Sequence, residues 1–212
     1  DGRVQYSDCL VHDHTHIVAR QQEAAQYDQL TGLVNRYRFD ALLQAAVQEA
    51  CSQGKEGCML LIDMDDFKVI NEGFGHAYGD ALLVEVARFL QHQFSGQSRI
   101  CRFGGDEFAL LVEWPNADKV QDMIDEMIAR ARHPWKVLEG EFYCTLSVGA
   151  VRFPSTGMDT QDIVKNVDIA LYQAKNRGKN SYAMYNPQME SQPLARAQME
   201  QRMREAIEHD FD

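Results

Sequence analysis

The sequence predicts an α/β or α+β domain built around one mixed β-sheet. Apolar runs of strand length alternate along the chain with longer segments of helical period. A Gly-Gly pair at 104–105 separates two of the apolar runs, which is typical of a tight β-hairpin. The 212 residues allow one domain with a buried core and additional flanking segments.

The predicted elements follow in chain order. A strand over 3–11 and a helix over 15–26 come first. Asn35 can cap a helix that runs to about Ser52, and the apolar run 58–62 fits a central strand. The later elements are a short helical turn after Asp66, a helix from Asp80 to about Phe94, strands over 100–103 and 108–112, a helix over 116–132, a strand over 142–153, a helix over 159–176, a strand over 181–185, a linker over 187–193 and a polar helix over 194–212.

Composition and charge exclude several classes of function. A net charge of -11 and a pI of about 5.0 argue against a nucleic-acid-binding surface, which needs a basic face. No apolar run is long enough to span a bilayer, so we expect no membrane contact by this chain. The five cysteines are scattered without a CxxC pair, which predicts buried, reduced thiols in the cytoplasm. An anionic substrate would need divalent metal and local lysines.

Two acidic clusters adjoin predicted strands. Asp63, Asp65 and Asp66 follow the central strand, and Asp106 and Glu107 follow the glycines of the hairpin. Because side chains alternate along a strand, Asp63 and Asp65 should share a face. Either cluster alone could simply solvate a strand end. Together they predict a Mg²⁺ site, since adjacent carboxylates repel each other unless a cation joins them.

The segment from Phe67 to Asp80 is rich in glycine and polar side chains. Lys68 could contact a phosphate, and the backbone N–H groups after Asp63 could form an anion-binding nest. Asn71 and Asp80 carry the donors and acceptors that suit a guanine. By spacing alone, Asn71 could equally end a helix with a hydrogen bond, and Asp80 could be the N-cap of the helix that it precedes.

Five motifs together resemble the GGDEF-type diguanylate cyclases. They are DQLTGLVNR (28–36), IDMDDFKVINEGFGHAYGDALL (62–83), RFGGDEF (102–108), SVGA (147–150) and ALYQAKNRGKN (170–180). The match spans about Tyr27 to Tyr185 in the family's order. The resemblance implies a palm-like nucleotidyl-cyclase fold, an α+β sandwich in which helices surround a central mixed sheet and a β-hairpin carries GGDEF. It also implies condensation of two GTP into cyclic di-GMP with release of two pyrophosphates.

The resemblance further implies a role for each site residue. Two Mg²⁺ or Mn²⁺ ions per active site would be held by the catalytic carboxylates Asp63, Asp106 and Glu107 and by the carbonyl of Met64. The residues implied to bind substrate are Asn71 and Asp80 on the guanine, Lys68, Lys175, Lys179 and the N–H groups of Asp66 and Phe67 on the phosphates, and Gly104 and Gly105, where the backbone approaches the nucleotide. Asp106 or a metal-bound hydroxide would take the proton of the attacking 3′-hydroxyl.

Two positions depart from the family's pattern. An Arg-x-x-Asp site that binds cyclic di-GMP and inhibits synthesis is common shortly before the hairpin, and here that window is Ser95-Gly96-Gln97-Ser98. We therefore expect no product inhibition through this site, because the guanidinium and its carboxylate partner are both missing. Glu72 stands where Asp is usual and keeps the charge.

The flanking segments predict a multidomain protein. Residues 1–26 resemble the last strand of a PAS sensor and its signalling helix, 27–186 the GGDEF domain, and 187–212 a linker and lead-in helix to an EAL phosphodiesterase domain. His12, His14 and His16 could bind metal, but a solvent-facing linker is favoured. Met199, Met203 and Ile207 recur at helical spacing and suit packing against a neighbouring domain.

Two functions from different classes remain open. The first is an active diguanylate cyclase, in which each domain holds one GTP and a homodimer brings the two together. The second is a catalytically silent GTP-binding module that regulates an attached EAL phosphodiesterase. A third, another nucleotidyltransferase of the palm class, is disfavoured by the guanine-binding pair Asn71 and Asp80.

Overall fold

A strand that is buried along its whole length forms the centre of the structure. In the computed structural model this strand, β2 (Gly57–Met64), pairs antiparallel with β4 (Glu107–Glu113) on one side and β7 (Leu146–Phe153) on the other. The predicted central strand is confirmed, and it extends past Asp63 to Met64. A continuous apolar run is typical of a strand that is covered on both faces.

The structure describes residues 26–96, 98–113, 117–154 and 158–191. Within these ranges a six-stranded mixed sheet has the order β1-β3-β4-β2-β7-β8, and β5 and β6 form a separate hairpin. The remaining bounds are β1 (Val34–Asn35), α1 (Arg36–Gln53), α2 (Phe67–Phe74), α3 (His76–Phe94), β3 (Arg99–Gly104), α4 (Ala117–Ala131), β5 (Trp135–Val137), β6 (Gly140–Phe142), α5 (Thr160–Asn176), β8 (Tyr182–Met184) and a final 3₁₀ turn (Pro187–Ser191).

Two apolar layers cover the two faces of the sheet. Residues Cys58, Leu60 and Ile62 of β2 pack in one cluster with α3 and α4. Met59 and Leu61, which alternate with them, pack in the other cluster with α1 and α5. The two-residue period of a strand produces this division. It also directs the next odd-numbered side chain, Asp63, towards the layer that contains α5.

Helix boundaries agree with the capping signals of the sequence in two places. The Asn35 side chain accepts a hydrogen bond of 3.0 Å from the Arg38 N–H at the start of α1. Asp159 and Asp162 form a reciprocal capping box at the start of α5, with a 2.9 Å bond from the Asp162 N–H to Asp159. These side chains satisfy N–H groups that have no partner inside the helix.

The prediction for the hairpin tip and the following helix needs correction. The turn lies at Gly105 and Asp106 rather than at the two glycines, and of the glycine pair Gly105 has a positive φ (45°). Gly104 ends β3 and pairs with Glu107 beside a register shift. Helix α3 begins at His76, so Asp80 is not its N-cap. The prediction placed the helix start after Gly79, because glycine often lies outside helices. Gly79 is instead a buried residue within α3, where the absence of a side chain permits close packing.

Two other segments differ from the prediction. The strand expected over 142–153 is two elements, since β6 ends at Phe142 and β7 begins at Leu146. The β5–β6 hairpin was not predicted, because three-residue strands carry too little pattern. The expected linker starts as a 3₁₀ turn whose Met189 is buried against α5. The elements expected over 3–11, 15–26 and 194–212 lie outside the described residues, apart from Gln26.

The four cysteines within the described ranges do not form a metal site. Cys58, Cys101 and Cys144 are buried, as expected, but Cys51 is exposed near the end of α1. Burial raises the pKa of both the Cys58 and Cys144 thiols to about 12, which keeps them protonated at neutral pH. Among the helices of the described ranges, none combines the length and apolar character required to cross a membrane.

Candidate active site

The two acidic clusters of the sequence meet where β2 and β4 adjoin. Asp63 is the register partner of Glu107 across the antiparallel pair. The Met64 N–H donates a 3.3 Å hydrogen bond to the carbonyl of Asp106, which fixes the turn against the end of β2. The structure therefore brings Asp63, Asp106 and Glu107 to one edge of the sheet, as the sequence predicted.

Asp63 forms a buried ion pair with α5. Its Oδ2 atom lies 2.6 Å from Lys175 Nζ, and the two side chains are 5% and 25% exposed. The alternation of β2 directs Asp63 to the α5 layer, and Lys175 lies in the last turn of that helix. A carboxylate with so little solvent needs a charged partner, because burial disfavours its ionised form.

Asp65 is a structural anchor that the sequence did not reveal. It lies beyond the end of β2 instead of sharing a strand face with Asp63. Its buried carboxylate accepts hydrogen bonds from Thr145 Oγ1 and Ser147 Oγ, both at 2.7 Å, and from the Asn180 N–H at 3.0 Å. Asp65 thereby joins the end of β2 to the start of β7 and to the loop after α5. The hydroxyl residues before and within SVGA were its only sequence signal.

A second lysine, Lys179, forms an ion pair beside the same end of β2. Lys179 Nζ lies 2.6 Å from Asp66 Oδ1, with both side chains well exposed. This hydrogen bond raises the pKa of Lys179, and the neighbouring carboxylates act in the same direction. Lys179 and Asn180 both have positive φ, at 61° and 43°, directly after Gly178. The tight loop 178–180 therefore lies over the acidic residues that follow β2.

Arg102 joins the GGDEF turn to the start of the domain. Its Nε and Nη2 atoms donate to the carbonyl of Gly105 at 3.1 and 2.9 Å, and Nη1 lies 3.1 Å from Asp28 Oδ2. Asp28 also accepts hydrogen bonds from the Thr31 N–H and hydroxyl at 2.8 and 2.7 Å. Burial alone would raise the pKa of Asp28, but Thr31 and Arg102 outweigh it and hold the pKa below its usual value. The sequence indicated no role for these residues.

The contact between α2 and α3 contains an unpaired polar atom. The Oδ1 atom of Asn71 is buried and has no hydrogen-bond partner. It lies against Gly79, where an added Cβ would come within 1.9 Å of it. Gly75, with φ 91°, joins the two helices. Asp80, which follows Gly79 in α3, is exposed. An unpaired buried acceptor costs free energy unless a ligand donates to it, so the Asn71 position suits a ligand that carries N–H groups.

The phosphate contacts expected from α2 are only partly assembled. Asp66 has a left-handed conformation (φ 58°) and precedes the helix, so the N–H groups of Asp66 and Phe67 lie at its N-terminus. Helix N-termini favour anions. Lys68 is almost fully exposed and lies 3.6 Å from Glu72 on the same helix. It is therefore not joined to the Lys175 and Lys179 pairs.

The fit to divalent metal rests on donor chemistry. No group of three or more His, Cys, Asp or Glu side chains within the described residues is arranged to hold a metal ion. The carboxylates of Asp63, Asp106 and Glu107 and the carbonyl of Met64 nevertheless supply the hard oxygen donors that Mg²⁺ prefers. The register pair Asp63 and Glu107 also places two carboxylates together, which a cation would stabilise. The donor set fits such an ion, and the assignment of metal ligands stays a prediction.

The fold and the site together define a class of protein, a mixed sheet that carries a glycine turn beside buried acidic residues. Comparison with known protein families identifies this class. Residues 25–181 match the family described as diguanylate cyclase, GGDEF domain, and the chain belongs to this family. The resemblance drawn from the five motifs is confirmed, and so is the α+β palm-like fold. The family match does not test the boundaries at 26 and 186 or the role of each site residue, and those stay predictions.

Two named bacterial proteins are similar to most of this chain. MucR of Pseudomonas aeruginosa, named a bifunctional diguanylate cyclase and cyclic di-GMP phosphodiesterase, is 32% identical over 186 residues, or 88% of this chain and 27% of MucR. NbdA from the same organism, named a cyclic di-GMP phosphodiesterase, is 30% identical over 198 residues, or 93% of this chain and 25% of NbdA. The chain thus spans about a quarter of the length of these relatives.

Solved structures have the same fold. The GGDEF domain of TpbB from Pseudomonas aeruginosa has a TM-score of 0.73 at 29% identity, covering 77% of this chain and 96% of the other. The coiled coil and GGDEF domain of DgcB from Caulobacter crescentus, in complex with c-di-GMP, has a TM-score of 0.77 at 26% identity, covering 84% and 95%.

Proposed function

We propose that this chain is a diguanylate cyclase that condenses two GTP into cyclic di-GMP and releases two pyrophosphates. The observation that carries the proposal is the convergence of Asp63, Glu107 and Lys175 beside the GGDEF turn. Carboxylates for a metal and an ammonium for a phosphate are the groups that nucleotidyl transfer requires. The family match over 25–181 supports the same reaction. We propose the cytoplasm as its location, since it supplies GTP.

Each part of the site has a proposed task. The guanine would bind beside Asn71 and Gly79, with Asn71 Oδ1 accepting a base N–H and Asp80 accepting others. Lys175 and Lys179 would hold phosphate oxygens, together with the N–H groups at the start of α2. Asp106 is the candidate acceptor for the proton of the attacking 3′-hydroxyl. These contacts would orient the α-phosphate for in-line attack.

We propose that Mg²⁺ or Mn²⁺, two ions per site, is held by Asp63, Asp106, Glu107 and the Met64 carbonyl. Such ions stabilise negative charge on the attacking and leaving oxygens. The chain would contribute rigid placement of the ligands, through the strand pairing at Asp63 and the Arg102 contact that fixes the turn. Holding ligands in place before the reaction is a large part of electrostatic catalysis.

The decisive experiment incubates the chain with GTP and Mg²⁺ and measures cyclic di-GMP by chromatography. A longer protein that includes the flanking domains should be assayed in parallel. We expect product from the wild type, at least a hundredfold less from Asp106→Asn, and unchanged activity from Asp122→Asn on the exposed side of α4. GTP binding without product in the longer, dimeric protein would refute the cyclase assignment.

We further propose that product does not inhibit the enzyme through the usual site. The window 95–98 follows the end of α3 and holds no arginine or aspartate. A guanidinium and its carboxylate partner are the groups that would bind a cyclic dinucleotide there. Added cyclic di-GMP should leave the initial rate unchanged, and strong non-competitive inhibition would contradict this assignment.

A second candidate is a GTP-binding module that does not turn over and regulates an attached phosphodiesterase. It is favoured by two relatives named cyclic di-GMP phosphodiesterases, NbdA and PdeR of Escherichia coli, which match the chain over about a quarter of their length. In a sensor–GGDEF–EAL protein, GTP would then alter phosphodiesterase activity without being consumed. Asp106→Asn should preserve that effect under this candidate, whereas synthesis requires Asp106.

A further inference from the structure

The buried carboxylate of Asp63 has a cation of its own chain beside it. Lys175 Nζ lies 2.6 Å from Oδ2, and Asp63 is 5% exposed. Breaking such a pair by removing one partner strands a buried charge, which is costly. Asp63 is therefore not available to bind a second cation unless Lys175 moves away and obtains another anion.

The neighbouring pair of Lys179 and Asp66 differs from the Lys175 pair in its exposure to solvent, and therefore in how easily a ligand can separate it. Lys179 and Asp66 are separated by the same 2.6 Å, but their side chains are 44% and 64% exposed. Water can replace either partner of an exposed pair at little cost. An incoming ligand can therefore draw Lys179 away easily, whereas Lys175 and Asp63 must exchange partners together.

The backbone around Lys175 is held in place, so the exchange falls to its side chain. Ala174 is buried, and its carbonyl accepts a 2.8 Å hydrogen bond from Ser181 Oγ. The four-carbon stem of a lysine is flexible and carries a compact charge. Lys175 can thus turn from the carboxylate to a nearby phosphate oxygen while α5 stays on the sheet.

We propose, on the basis of the function proposed above, that Lys175 is a placeholder cation that bars free divalent ions from Asp63. A divalent ion and an ammonium on one carboxylate would repel each other at short range. A metal–nucleoside triphosphate complex removes this conflict, because it brings a cation for Asp63 and an anion for Lys175 in one step. Metal binding and nucleotide binding are therefore coupled, and the coupling acts equally in both directions.

The test compares the wild-type chain with Lys175→Met and Lys175→Gln. Lys165→Met is the matched control, because Lys165 lies on the same helix, pairs with Glu190 at 3.1 Å and is about 15 Å along the helix from Lys175. Mn²⁺ binding without nucleotide is measured by electron paramagnetic resonance. The affinity for a fluorescent non-hydrolysable GTP analogue is measured with and without Mn²⁺.

We expect both Lys175 variants to bind Mn²⁺ without nucleotide at least tenfold more tightly than the wild type and Lys165→Met. We also expect Mn²⁺ to raise the analogue affinity at least tenfold in the wild type and less than threefold in the Lys175 variants. If a variant is too unstable, a rise in its melting temperature on adding Mn²⁺, not seen for the wild type, reports the same gain.

Two results would overturn the proposal, and they differ in what else they affect. Equal Mn²⁺ affinity in all four proteins, with normal Mn²⁺-dependent analogue binding by the wild type, would refute the placeholder and leave the proposed function intact. No binding of the analogue by the wild type, even with Mn²⁺, would refute both.

Discussion

At the scale of single residues, Gly79 controls the shape of the proposed guanine site. An added Cβ would lie 1.9 Å from Asn71 Oδ1 and 2.9 Å from its Cγ, so the amide must move. We expect Gly79→Ala to weaken GTP binding at least tenfold, a loss of about 1.4 kcal/mol. Its melting temperature should change little, because the added Cβ meets side-chain atoms of Asn71 and Phe67, which can move, and no backbone atom. Calorimetric titration with a non-hydrolysable GTP analogue measures the change.

Gly73 provides the matched control for this substitution. It lies in α2, two residues from Asn71, and nothing lies within 4 Å of the position of its Cβ. Alanine favours a helix over glycine by about 1 kcal/mol, so Gly73→Ala should stabilise the domain slightly. Its GTP affinity should equal that of the wild type. Equal losses in both variants would show that the effect is not specific to Asn71.

Asp28 predicts a pH dependence of stability. Its pKa in the folded domain lies below the unfolded value, because hydrogen bonds from Thr31 and the charge of Arg102 outweigh burial. A lowered pKa stabilises the fold above the unfolded pKa, and this contribution is lost as the pH falls through the folded pKa. Asp28→Asn keeps an acceptor for Thr31 and should cost about 1 kcal/mol at pH 7.

Urea unfolding of both proteins between pH 7 and pH 3 measures this effect. The difference in the free energy of unfolding should be constant near neutrality and shrink below about pH 4, where Asp28 of the unfolded wild-type chain takes up a proton before the folded domain does. A difference that stays constant down to pH 3 would contradict the assignment of the lowered pKa to Asp28.

Sequence patterns predicted the residues that a motif names and missed the residues that support them. Asp63, Asp106 and Glu107 were predicted as site residues because their charge beside apolar strands is visible locally. Asp65 and Arg102 act through partners that are distant in the chain. Asp65 accepts hydrogen bonds from residues 145, 147 and 180, and Arg102 pairs with Asp28. Such pairings arise from the fold, which one sequence does not display.

At the scale of elements, helix α5 approaches the sheet closely at Gly149. A Cβ there would lie 2.3 Å from the Val167 carbonyl and 2.5 Å from the Leu171 N–H, both in the backbone of α5. Backbone atoms cannot move aside as a side chain can. We expect Gly149→Ala to lower the free energy of unfolding by about 3 kcal/mol and to displace α5, which carries Lys175.

Gly149→Ala should therefore reduce stability and GTP affinity together, unlike Gly79→Ala. Chemical denaturation and titration with the same non-hydrolysable GTP analogue measure the two quantities. Gly73→Ala again provides the control for adding one methyl group. Wild-type stability in Gly149→Ala would mean that β7 and α5 can separate at no cost, contrary to their packing.

Elements with their own start and stop signals were predictable, and elements defined by packing were not. Asn35 and Asp159 are the N-caps of α1 and α5, and both side chains cap through local hydrogen bonds. The 3₁₀ turn at 187–191 depends instead on the burial of Met189 and on a 3.1 Å pair between Lys165 and Glu190. Its sequence has the polar, proline-containing character of a linker, so its tertiary contacts decide its structure.

At the scale of the whole molecule, the net charge of -11 opposes an anionic substrate. Local groups in the described site can offset this repulsion. They are the ammonium groups of Lys175 and Lys179 beside the acidic cluster and the helix N–H groups at Asp66. General repulsion at long range is screened by salt, whereas contacts within a few ångströms are not. GTP affinity should therefore depend on metal and on these lysines more than on ionic strength.

At this scale we also propose that each domain holds one GTP and that two facing domains complete the reaction, which predicts how the rate depends on chain concentration. If association is weak, the dimer concentration rises as the square of the chain concentration, so turnover per chain should rise in proportion to concentration. A site complete in one chain would give constant turnover per chain. Initial rates over a hundredfold range of chain concentration at saturating GTP distinguish the dimeric site from a site complete in one chain.

Mixing wild type with an inactive variant tests the same point. At concentrations where the chain is dimeric, an excess of Asp106→Asn chain should lower the amount of product that a fixed amount of wild-type chain forms, because the variant captures wild-type partners. Unchanged product formation would mean that a single chain suffices.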